Sequence, residues 1–264
     1  MPSLLGGELS SKLHLQSETK GNISEALKSA WDITCDTYRD GCSLYGECVA
    51  DYDPREGILL ASTGSKDLVA GTTAAVAVLS TSPDGTDELS ILNCGDSRVL
   101  VVGKLIETST DNNFRKASVV HFATRDHSPG DELEAERLRK GKRAGLDYSQ
   151  PQCSVSTWRI KVGDYQYAIS RSLEGEFATS KGIVSDADVT TLSLSDMLAE
   201  RKAGILIIAS DGLFEVLDNE QVGREALKMR ESGMNAEDTA KNLCGMALEK
   251  STSDNVSTVV IHLE

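Results

Sequence analysis

The amino-acid sequence predicts an α+β fold built as a single domain. Three observations lead to this prediction: helical hydrophobic spacing occurs at both ends of the chain, short apolar runs bounded by turn signals fill the middle, and no internal repeat or low-complexity linker interrupts them. The 264 residues are 39% hydrophobic and 26% charged, which is ordinary for a globular protein and excludes wholesale disorder. A chain of this length buries a sizeable core, so residues 1–264 are predicted to form one domain.

The predicted elements begin with an amphipathic helix, continue through a β-rich middle and return to helices near the end. Asn22–Arg39 places apolar residues at mixed three- and four-residue spacings, which is typical of a helix with one buried face. The turn signal Ser80–Gly85 separates the apolar runs Val69–Leu79 and Glu88–Cys94, and this arrangement predicts a hairpin. The later predicted elements are strands Val99–Val102 and Ser118–Phe122 with the polar loop Thr108–Lys116 between them, helix Asp131–Lys142, strands Gln166–Ser170 and Gly204–Ala209, helices Gln221–Arg230 and Asn235–Lys250, and strand Val256–Leu263.

Two of these segments carry a more specific prediction. Gly204–Ala209 is a continuous Ile/Leu run, which predicts a strand buried on both faces. Asp131–Lys142 interleaves acidic and basic residues at helical spacing, so its charges are predicted to form a solvated face.

Composition also limits the function. The chain has 41 acidic against 27 basic residues and a formal charge of -14, which repels a phosphate backbone, so nucleic acid is not a predicted partner. No apolar run approaches the roughly 20 residues of a membrane span, and the N-terminus lacks the pattern of a secretory signal. The six scattered cysteines, without any CxxC pair, are predicted to be free thiols in a reducing compartment. The predicted location is intracellular, in the cytoplasm unless a targeting segment precedes this sequence.

Acidic residues stand where predicted strands meet loops. Asp96 and Asp211 each follow an apolar run, and Asp254 precedes one. Carboxylates gathered from strand ends give an oxygen-rich site of the kind that hard divalent cations prefer. Any one of these aspartates taken alone is also explained as an ordinary turn residue, so single positions do not decide between the two interpretations.

Six short motifs, taken together, point to a family. In chain order they are Ala70-Gly71-Thr72-Thr73-Ala74, Asn93-Cys94-Gly95-Asp96-Ser97-Arg98, Thr124-Arg125-Asp126-His127-Ser128-Pro129, Ala168-Ile169-Ser170-Arg171-Ser172, Ile208-Ala209-Ser210-Asp211-Gly212-Leu213-Phe214-Glu215-Val216-Leu217 and Ser253-Asp254-Asn255-Val256-Ser257. This series resembles the ordered motifs of the PP2C, or PPM, family of metal-dependent serine/threonine protein phosphatases. The resemblance covers nearly the whole chain.

The resemblance implies a fold and a set of metal ligands. The implied fold is a pair of antiparallel sheets between helices, in α/β/β/α layers, with Mg²⁺ or Mn²⁺ bound in a cleft at one edge. Asp211 and Asp254 match the family's two C-terminal ligands. Asp126 matches an aspartate that helps to hold a further metal in relatives, and Glu215 stands where the family usually has another aspartate. Asp96, in contrast, matches a structural Gly-Asp-Ser-Arg turn.

The resemblance also implies a reaction and a substrate. Two divalent cations bridge a water, lower its pKa and hold a phosphate oxygen, so that hydroxide attacks phosphorus without a protein nucleophile. The implied substrate is a phosphoserine or phosphothreonine in a protein. The sequence contains no phosphate-binding Gly-x-x-x-x-Gly-Lys loop, no Gly-x-Ser-x-Gly elbow and no His-Glu-x-x-His motif that would favour another chemistry.

The sequence departs from the family at its front. Relatives carry an acidic ligand segment and an Asp-Gly-His-Gly-Gly motif there, whereas Leu4–Leu15 resembles the helix that follows this motif. The N-terminal strands and half of the metal ligands are therefore expected to be missing, and neither His14 nor His127 occupies the motif position. Three explanations stay open: an incomplete active phosphatase, a catalytically inactive module that binds a phosphoprotein or regulatory partner, and an unrelated metal hydrolase.

Two further segments depart from the family pattern. Ser170–Phe177 has one residue inserted before the position where the family usually reads Gly-Asp, and Glu replaces that Asp. Gly46–Asp67 is interpreted as an insert-like loop. Since loops carry most of the variation within such folds, both departures affect the expected rim of the site.

Overall fold

The structure is a computed structural model that describes residues 11, 22–44, 48–53, 58–63, 71–81, 84–109, 115–140, 160–162, 165–174, 182–194 and 203–263. The chain divides into two compact units. The first unit comprises residues 1–74 and 126–189, and the second comprises residues 75–125 and 190–264. The assignment of residues 1–264 to a single domain stays a prediction.

The described part of the chain contains five helices and eleven strands. The helices are α1 (Ile23–Leu44), α2 (Glu132–Lys140), α3 (Asp211–Phe214), α4 (Asn219–Glu231) and α5 (Ala236–Glu249). The strands are β1 (Cys48–Asp53), β2 (Ile58–Thr63), β3 (Ala74–Thr81), β4 (Asp87–Cys94), β5 (Arg98–Ser109), β6 (Arg115–Ala123), β7 (Ile160–Val162), β8 (Tyr165–Tyr167), β9 (Asp188–Ser193), β10 (Ala203–Ala209) and β11 (Thr258–His262).

Two sheets organise the second unit. One has the strand order β11-β10-β5-β6 with antiparallel pairs, in which Ile207 faces Val260 on one side and Leu100 on the other. The other has the order β3-β4-β9. The prediction of an α+β fold with two antiparallel sheets and flanking helices is thereby confirmed.

Strand β5 contributes to two separate cores because successive side chains of a strand point to opposite faces. Leu100 and Val102 face the core formed with helices α4 and α5, whereas Val99 and Val101 face the core shared with β4. All four are fully buried. Each such side chain contributes about 1.5–3 kcal/mol when it leaves water, so β5 holds the two layers of the unit together.

The two long C-terminal helices begin at well-defined caps. Asp218 accepts a hydrogen bond from the Gln221 backbone N–H, and the Gln221 side chain accepts one from the Asp218 backbone, which completes a capping box. Asn235 caps α5 by accepting from the Asp238 backbone N–H. Both helices lie against the outer face of the four-stranded sheet through Val222, Ala226 and Leu243.

Helix α1 anchors the first unit through an aromatic residue. Trp31 is 2% exposed, and its Nε1–H donates to the Ser185 carbonyl oxygen at 2.7 Å. Arg39 donates from Nη2 to the Ser185 hydroxyl at 2.8 Å. These contacts join two segments that lie about 150 residues apart in the chain.

None of the described cysteine side chains is in a disulfide bond, as predicted. Cys35 and Cys94 are buried and Cys244 is partly exposed. Burial raises the pKa of the Cys35 thiol to about 11, which keeps it protonated and unreactive at neutral pH. Within the described residues, no helix is both long and apolar enough to cross a membrane.

Most predicted elements are confirmed, with shifted ends. The strand prediction Val69–Leu79 is five residues early, because β3 begins at Ala74. The interpretation of Gly46–Asp67 as a loop is wrong, because β1 and β2 lie inside it and pair antiparallel. Strand β9 was not predicted. The side chains of β1 and β2 and the N-terminal segment Leu4–Leu15 lie outside the described residues, apart from Ser11.

Candidate metal-binding site

The first acidic residue of the site lies where a buried strand ends. Ile205, Leu206 and Ile207 of β10 are fully buried, and the chain turns at Ser210 into the short helix α3, whose first residue is Asp211. The buried strand therefore fixes the backbone that presents Asp211 at the surface.

The second acidic residue comes from the loop that precedes β11. A Cβ atom placed on Gly212 would lie 3.1 Å from the Asn255 carbonyl carbon, closer still to its oxygen, and 3.4 Å from the Asp254 Cβ. Only a glycine permits such an approach without a shift of the backbone. The Asp254 loop thus packs directly on the residue that follows Asp211, and the structure brings together the two aspartates that the sequence predicted as ligands.

The two carboxylates interact electrostatically. Desolvation by the surrounding chain raises the pKa of the Asp211 carboxyl, and the negative charge of Asp254 raises it further. Asp211 nonetheless keeps an exposed surface. Each carboxylate also accepts one backbone N–H, from Gly212 at 3.0 Å and from Asn255 at 2.7 Å. The two negatively charged carboxylates repel each other, and a bound cation would relieve this repulsion.

Glu215 lies one helical turn after Asp211, and its carboxylate accepts hydrogen bonds from the loop that precedes Asp254. Its Oε2 accepts from the Thr252 hydroxyl at 2.6 Å and from the Ser253 backbone N–H at 2.9 Å. Its Oε1 accepts from the Ser253 hydroxyl at 2.7 Å. These hydrogen bonds lower the pKa of Glu215 and keep it ionised.

The donor chemistry fits a divalent cation in part. Carboxylate oxygens are the ligands that Mg²⁺ and Mn²⁺ prefer, and Asp211 and Asp254 supply them from adjoining backbone segments. Across the residues that the structure describes, no group of three or more His, Cys, Asp or Glu side chains is placed to hold a metal ion. Asp211 and Asp254 thus form a pair of neighbouring carboxylates without a third such side chain among the described residues.

Asp126, the fourth predicted metal ligand, belongs to the first unit. It is half-buried and directly precedes His127, which is 2% exposed. The Nε2 of His127 lies 3.0 Å from Asp188 Oδ2, so this histidine is a partnered residue of the interior.

The turn Gly95-Asp96-Ser97-Arg98 contacts the helix that begins with Asp211. Arg98 donates to the Asn219 side-chain oxygen at 2.8 Å, and its guanidinium lies 4.5 Å from the centre of the Phe214 ring. Phe214 ends helix α3, so Arg98 holds the helix that begins with Asp211. Gly95 in the same turn has a φ of 114°, which side-chain-bearing residues rarely adopt.

A buried ion cluster lies in the first unit and was missed by the sequence analysis. Glu134 of α2 is only 3% exposed and receives two hydrogen bonds from Arg171, at 3.0 and 2.6 Å. Arg137 and the Ser170 hydroxyl also donate to it, at 2.9 and 2.6 Å. The prediction of a solvated charged face on α2 is therefore wrong for Glu134, because Ser170 and Arg171, from a distant segment, also bind its carboxylate.

Burial and hydrogen bonding shift the pKa of Glu134 in opposite directions. Burial raises the pKa of the Glu134 carboxyl, but hydrogen bonds from the two arginines and the serine outweigh it and lower the pKa to about 2. Arg171 also reaches Asp188 at 3.0 Å. The Ser170-Arg171-Ser172 motif thus serves as the binding partner of a buried carboxylate.

The segment that departs from the family pattern also places an acidic residue inside the first unit. Glu174 is 3% exposed and accepts from the Ser172 hydroxyl at 2.7 Å, and burial raises the pKa of its carboxyl. A Cβ atom on Gly71 would collide with the Glu174 carboxyl. The glycine of the Ala70–Ala74 motif therefore makes room for this buried side chain.

The chain matches a known protein family. The family model described as Protein phosphatase 2C matches residues 42–256. This range includes Asp126, Asp211, Glu215 and Asp254.

Curated relatives agree with the family match. Probable protein phosphatase 2C 69 of Arabidopsis thaliana is 31% identical over 212 residues, which cover 80% of this chain and 49% of the relative. Protein phosphatase 1A of Homo sapiens is 27% identical over 170 residues, which cover 64% of this chain and 39% of the relative. The chain thus spans about half the length, or less, of these curated relatives.

Solved structures show the same fold. A serine-threonine phosphatase 2C from Toxoplasma gondii superposes with a TM-score of 0.66 at 19% identity, covering 95% of this chain and 71% of that one. A C. elegans sex determining protein superposes with a TM-score of 0.64 at 17% identity, covering 98% of this chain and 52% of that one. At these identities the likeness concerns the fold alone.

Proposed function

The chain belongs to the protein phosphatase 2C family, and from this premise we propose that it hydrolyses phosphoserine and phosphothreonine in proteins with Mg²⁺ or Mn²⁺ as cofactor. The observation that carries the proposal is the close packing of Gly212 against Asn255, which places the Asp211 and Asp254 backbones side by side. The proposed substrate partner is a phosphoprotein.

The proposed roles follow from the placement of each residue. Asp211 and Asp254 bind the cation, because both are exposed carboxylates and each keeps oxygen lone pairs beyond its one backbone hydrogen bond. Asp126 stays a proposed ligand on the strength of the family motif. Glu215 also matches a ligand position of the family, but the hydrogen bonds that its carboxylate accepts from Thr252 and Ser253 favour another role. A bound divalent cation supplies positive charge for a phosphate oxygen and acidifies a water molecule.

The buried elements around the site keep these carboxylates in place. Strand β10 fixes Asp211 at one end, and the Ser210 backbone N–H donates to the Ser257 carbonyl at 2.9 Å just after the Asp254 loop. Two ligands that sit on rigid backbone lose little freedom when a cation binds, which favours binding.

The test is hydrolysis of a phosphothreonine peptide by this chain with and without Mn²⁺. We expect Asp211→Asn to abolish metal-dependent hydrolysis and Asp96→Asn chiefly to lower the free energy of unfolding. Asp218→Asn is the matched control, because asparagine caps a helix as well as aspartate and should leave activity unchanged. A well-folded but inactive Asp96 variant together with an active Asp211 variant would refute these roles.

The alternative function is a catalytically inactive module that binds a phosphoprotein or regulatory partner. The chain would then fold without hydrolysing the peptide at any Mn²⁺ concentration, and it would retain a phosphothreonine peptide in a binding assay. Hydrolysis that depends on Mn²⁺ and on Asp211 excludes this alternative.

A further inference from the structure

Glu215 occupies the position of a family metal ligand, but its contacts point to a different role. We propose that Glu215 is a positioning residue that holds the Thr252–Asp254 loop against helix α3 and thereby sets the place of Asp254 relative to Asp211. This inference rests on the proposed function, since Asp211 and Asp254 are its proposed ligands.

The contacts of Glu215 all go to the two residues that precede Asp254. Both of its carboxylate oxygens accept hydrogen bonds: Oε2 from the Thr252 hydroxyl and the Ser253 backbone N–H, and Oε1 from the Ser253 hydroxyl, at 2.6 to 2.9 Å. Bonds to an ionised acceptor are shorter and stronger than those between neutral groups. The loop before Asp254 is therefore attached to α3 by a charged acceptor.

The loop after Asp254 is attached separately, to the residue before Asp211. The Ser210 hydroxyl donates to the Asn255 carbonyl at 3.3 Å and accepts from the Ser257 N–H at 3.0 Å. Asp254 consequently lies between two attachment points, Glu215 on one side and Ser210 on the other. Both attachment points flank Asp211 in the chain, so the geometry of the two aspartates is determined by one short segment.

The use of glutamate at position 215 has a physical reason. An aspartate is one methylene shorter, so it cannot keep the same contacts to Thr252 and Ser253 without a movement of the loop. A carboxylate offers about four acceptor sites, and three are taken by these hydrogen bonds. Direct binding of a cation by Glu215 would compete with them, which favours the positioning role over the ligand role.

The first test uses the metal-free protein. We expect the Ser253 amide proton, followed by NMR, to exchange with water on the order of tenfold faster in Glu215→Asp than in the wild type, because its charged acceptor has moved away. Glu237→Asp is the matched control on an exposed part of α5 and should leave this rate unchanged. An unchanged Ser253 rate in Glu215→Asp would overturn the proposed contact.

The second test measures Mn²⁺ affinity by calorimetry. The paired substitution Thr252→Val with Ser253→Ala removes the two hydroxyl donors to Glu215, keeps the Ser253 backbone N–H and leaves the Glu215 carboxylate intact. We expect this variant and Glu215→Asp each to bind Mn²⁺ about 10- to 100-fold more weakly, and the combination to bind no more weakly than either. If Glu215 is itself a ligand, the paired substitution keeps the wild-type affinity and Glu215→Asp, which restores the family residue, keeps it as well.

If the proposed function is wrong, the two tests give a different combination of results. A wild-type chain that binds no Mn²⁺ refutes the proposed metal site, whereas the Ser253 exchange rate still decides whether Glu215 holds the loop. Urea unfolding of each variant separates a local change at the loop from a general loss of stability, and we expect it to match the wild type within the error of the measurement.

Discussion

Removing the charge of Glu134 should cost a large part of the stability of the fold. Glu134→Gln keeps the shape of the side chain but leaves Arg137 and the mostly buried Arg171 facing a neutral amide. The pKa of the Glu134 carboxyl falls from an ordinary 4.5 to about 2, and a shift of this size corresponds to about 3 kcal/mol of stabilisation of the charged form. Because the carboxylate is 3% exposed, solvent does not screen this energy appreciably.

The pH dependence of this effect has a definite sign. The pKa of Glu134 is lower in the folded than in the unfolded chain, so its contribution is complete above pH 4.5 and is lost as the pH falls towards 2. We therefore expect the free energy of unfolding of Glu134→Gln to lie about 3 kcal/mol below that of the wild type at pH 7. The difference should shrink steadily between pH 4.5 and pH 2.

Urea unfolding followed by far-UV circular dichroism at pH 7 and at pH 3 measures both quantities. The control is Glu136→Gln on the same helix, where the side chain is 53% exposed and pairs with Lys140, so the expected change is below about 1 kcal/mol. A Glu134 variant as stable as this control, or a difference as large at pH 3 as at pH 7, would contradict the explanation from a buried ion cluster.

Two further predictions concern close packing and a buried hydrogen bond. Gly212→Ala forces the Asn255 backbone to move, so we expect the free energy of unfolding in urea to fall by about 1–3 kcal/mol. Gly245→Ala is the control, because its methyl group meets open space inside α5, and it should raise the free energy of unfolding by about 0.4–1 kcal/mol. Equal effects at the two glycines would refute the clash. Trp31→Phe leaves the buried Ser185 carbonyl without its donor, and we expect a loss of about 1–3 kcal/mol in thermal and urea unfolding, with an unchanged stability counting against this hydrogen bond.

The sequence was most informative where a local pattern decides the structure. The Ile/Leu run of β10 predicted a strand buried on both faces, and the three central residues Ile205, Leu206 and Ile207 are fully buried between two cores. Helix α5 was predicted from its spacing almost to the residue, because its cap Asn235 and its apolar positions all belong to one short segment.

Long-range contacts explain what could not be predicted. The burial of Glu134 depends on Arg171, which lies 37 residues later in the chain, and a pattern of alternating charges is the same whether such a partner exists or not. Strand β9 is short and has no strict alternation, so its place in a sheet follows from its neighbours.

At the candidate site, too, a local pattern was predictable and long-range contacts were not. Motif order was enough to select Asp211 and Asp254, and the structure places their backbones side by side. The contacts of Glu215 were not predictable, since they depend on the folded path of a loop almost 40 residues away. Position in a motif therefore identified the residue, and only the fold reveals what its carboxylate touches.

The order of strands in the four-stranded sheet has a consequence for synthesis of the protein. Strand β5 pairs on one side with β6, which follows it directly, and on the other with β10, which is made roughly 100 residues later. At the translation rates of cells, ~5–20 residues per second, one edge of β5 stays unpaired for ~5–20 s after the β5–β6 pair has left the ribosome. Its backbone donors and apolar side chains are open to association with other nascent chains during this interval. Final closure of the sheet is thus a late event, and the Asp211 end of β10 becomes ordered only when β11, its partner, has also been made.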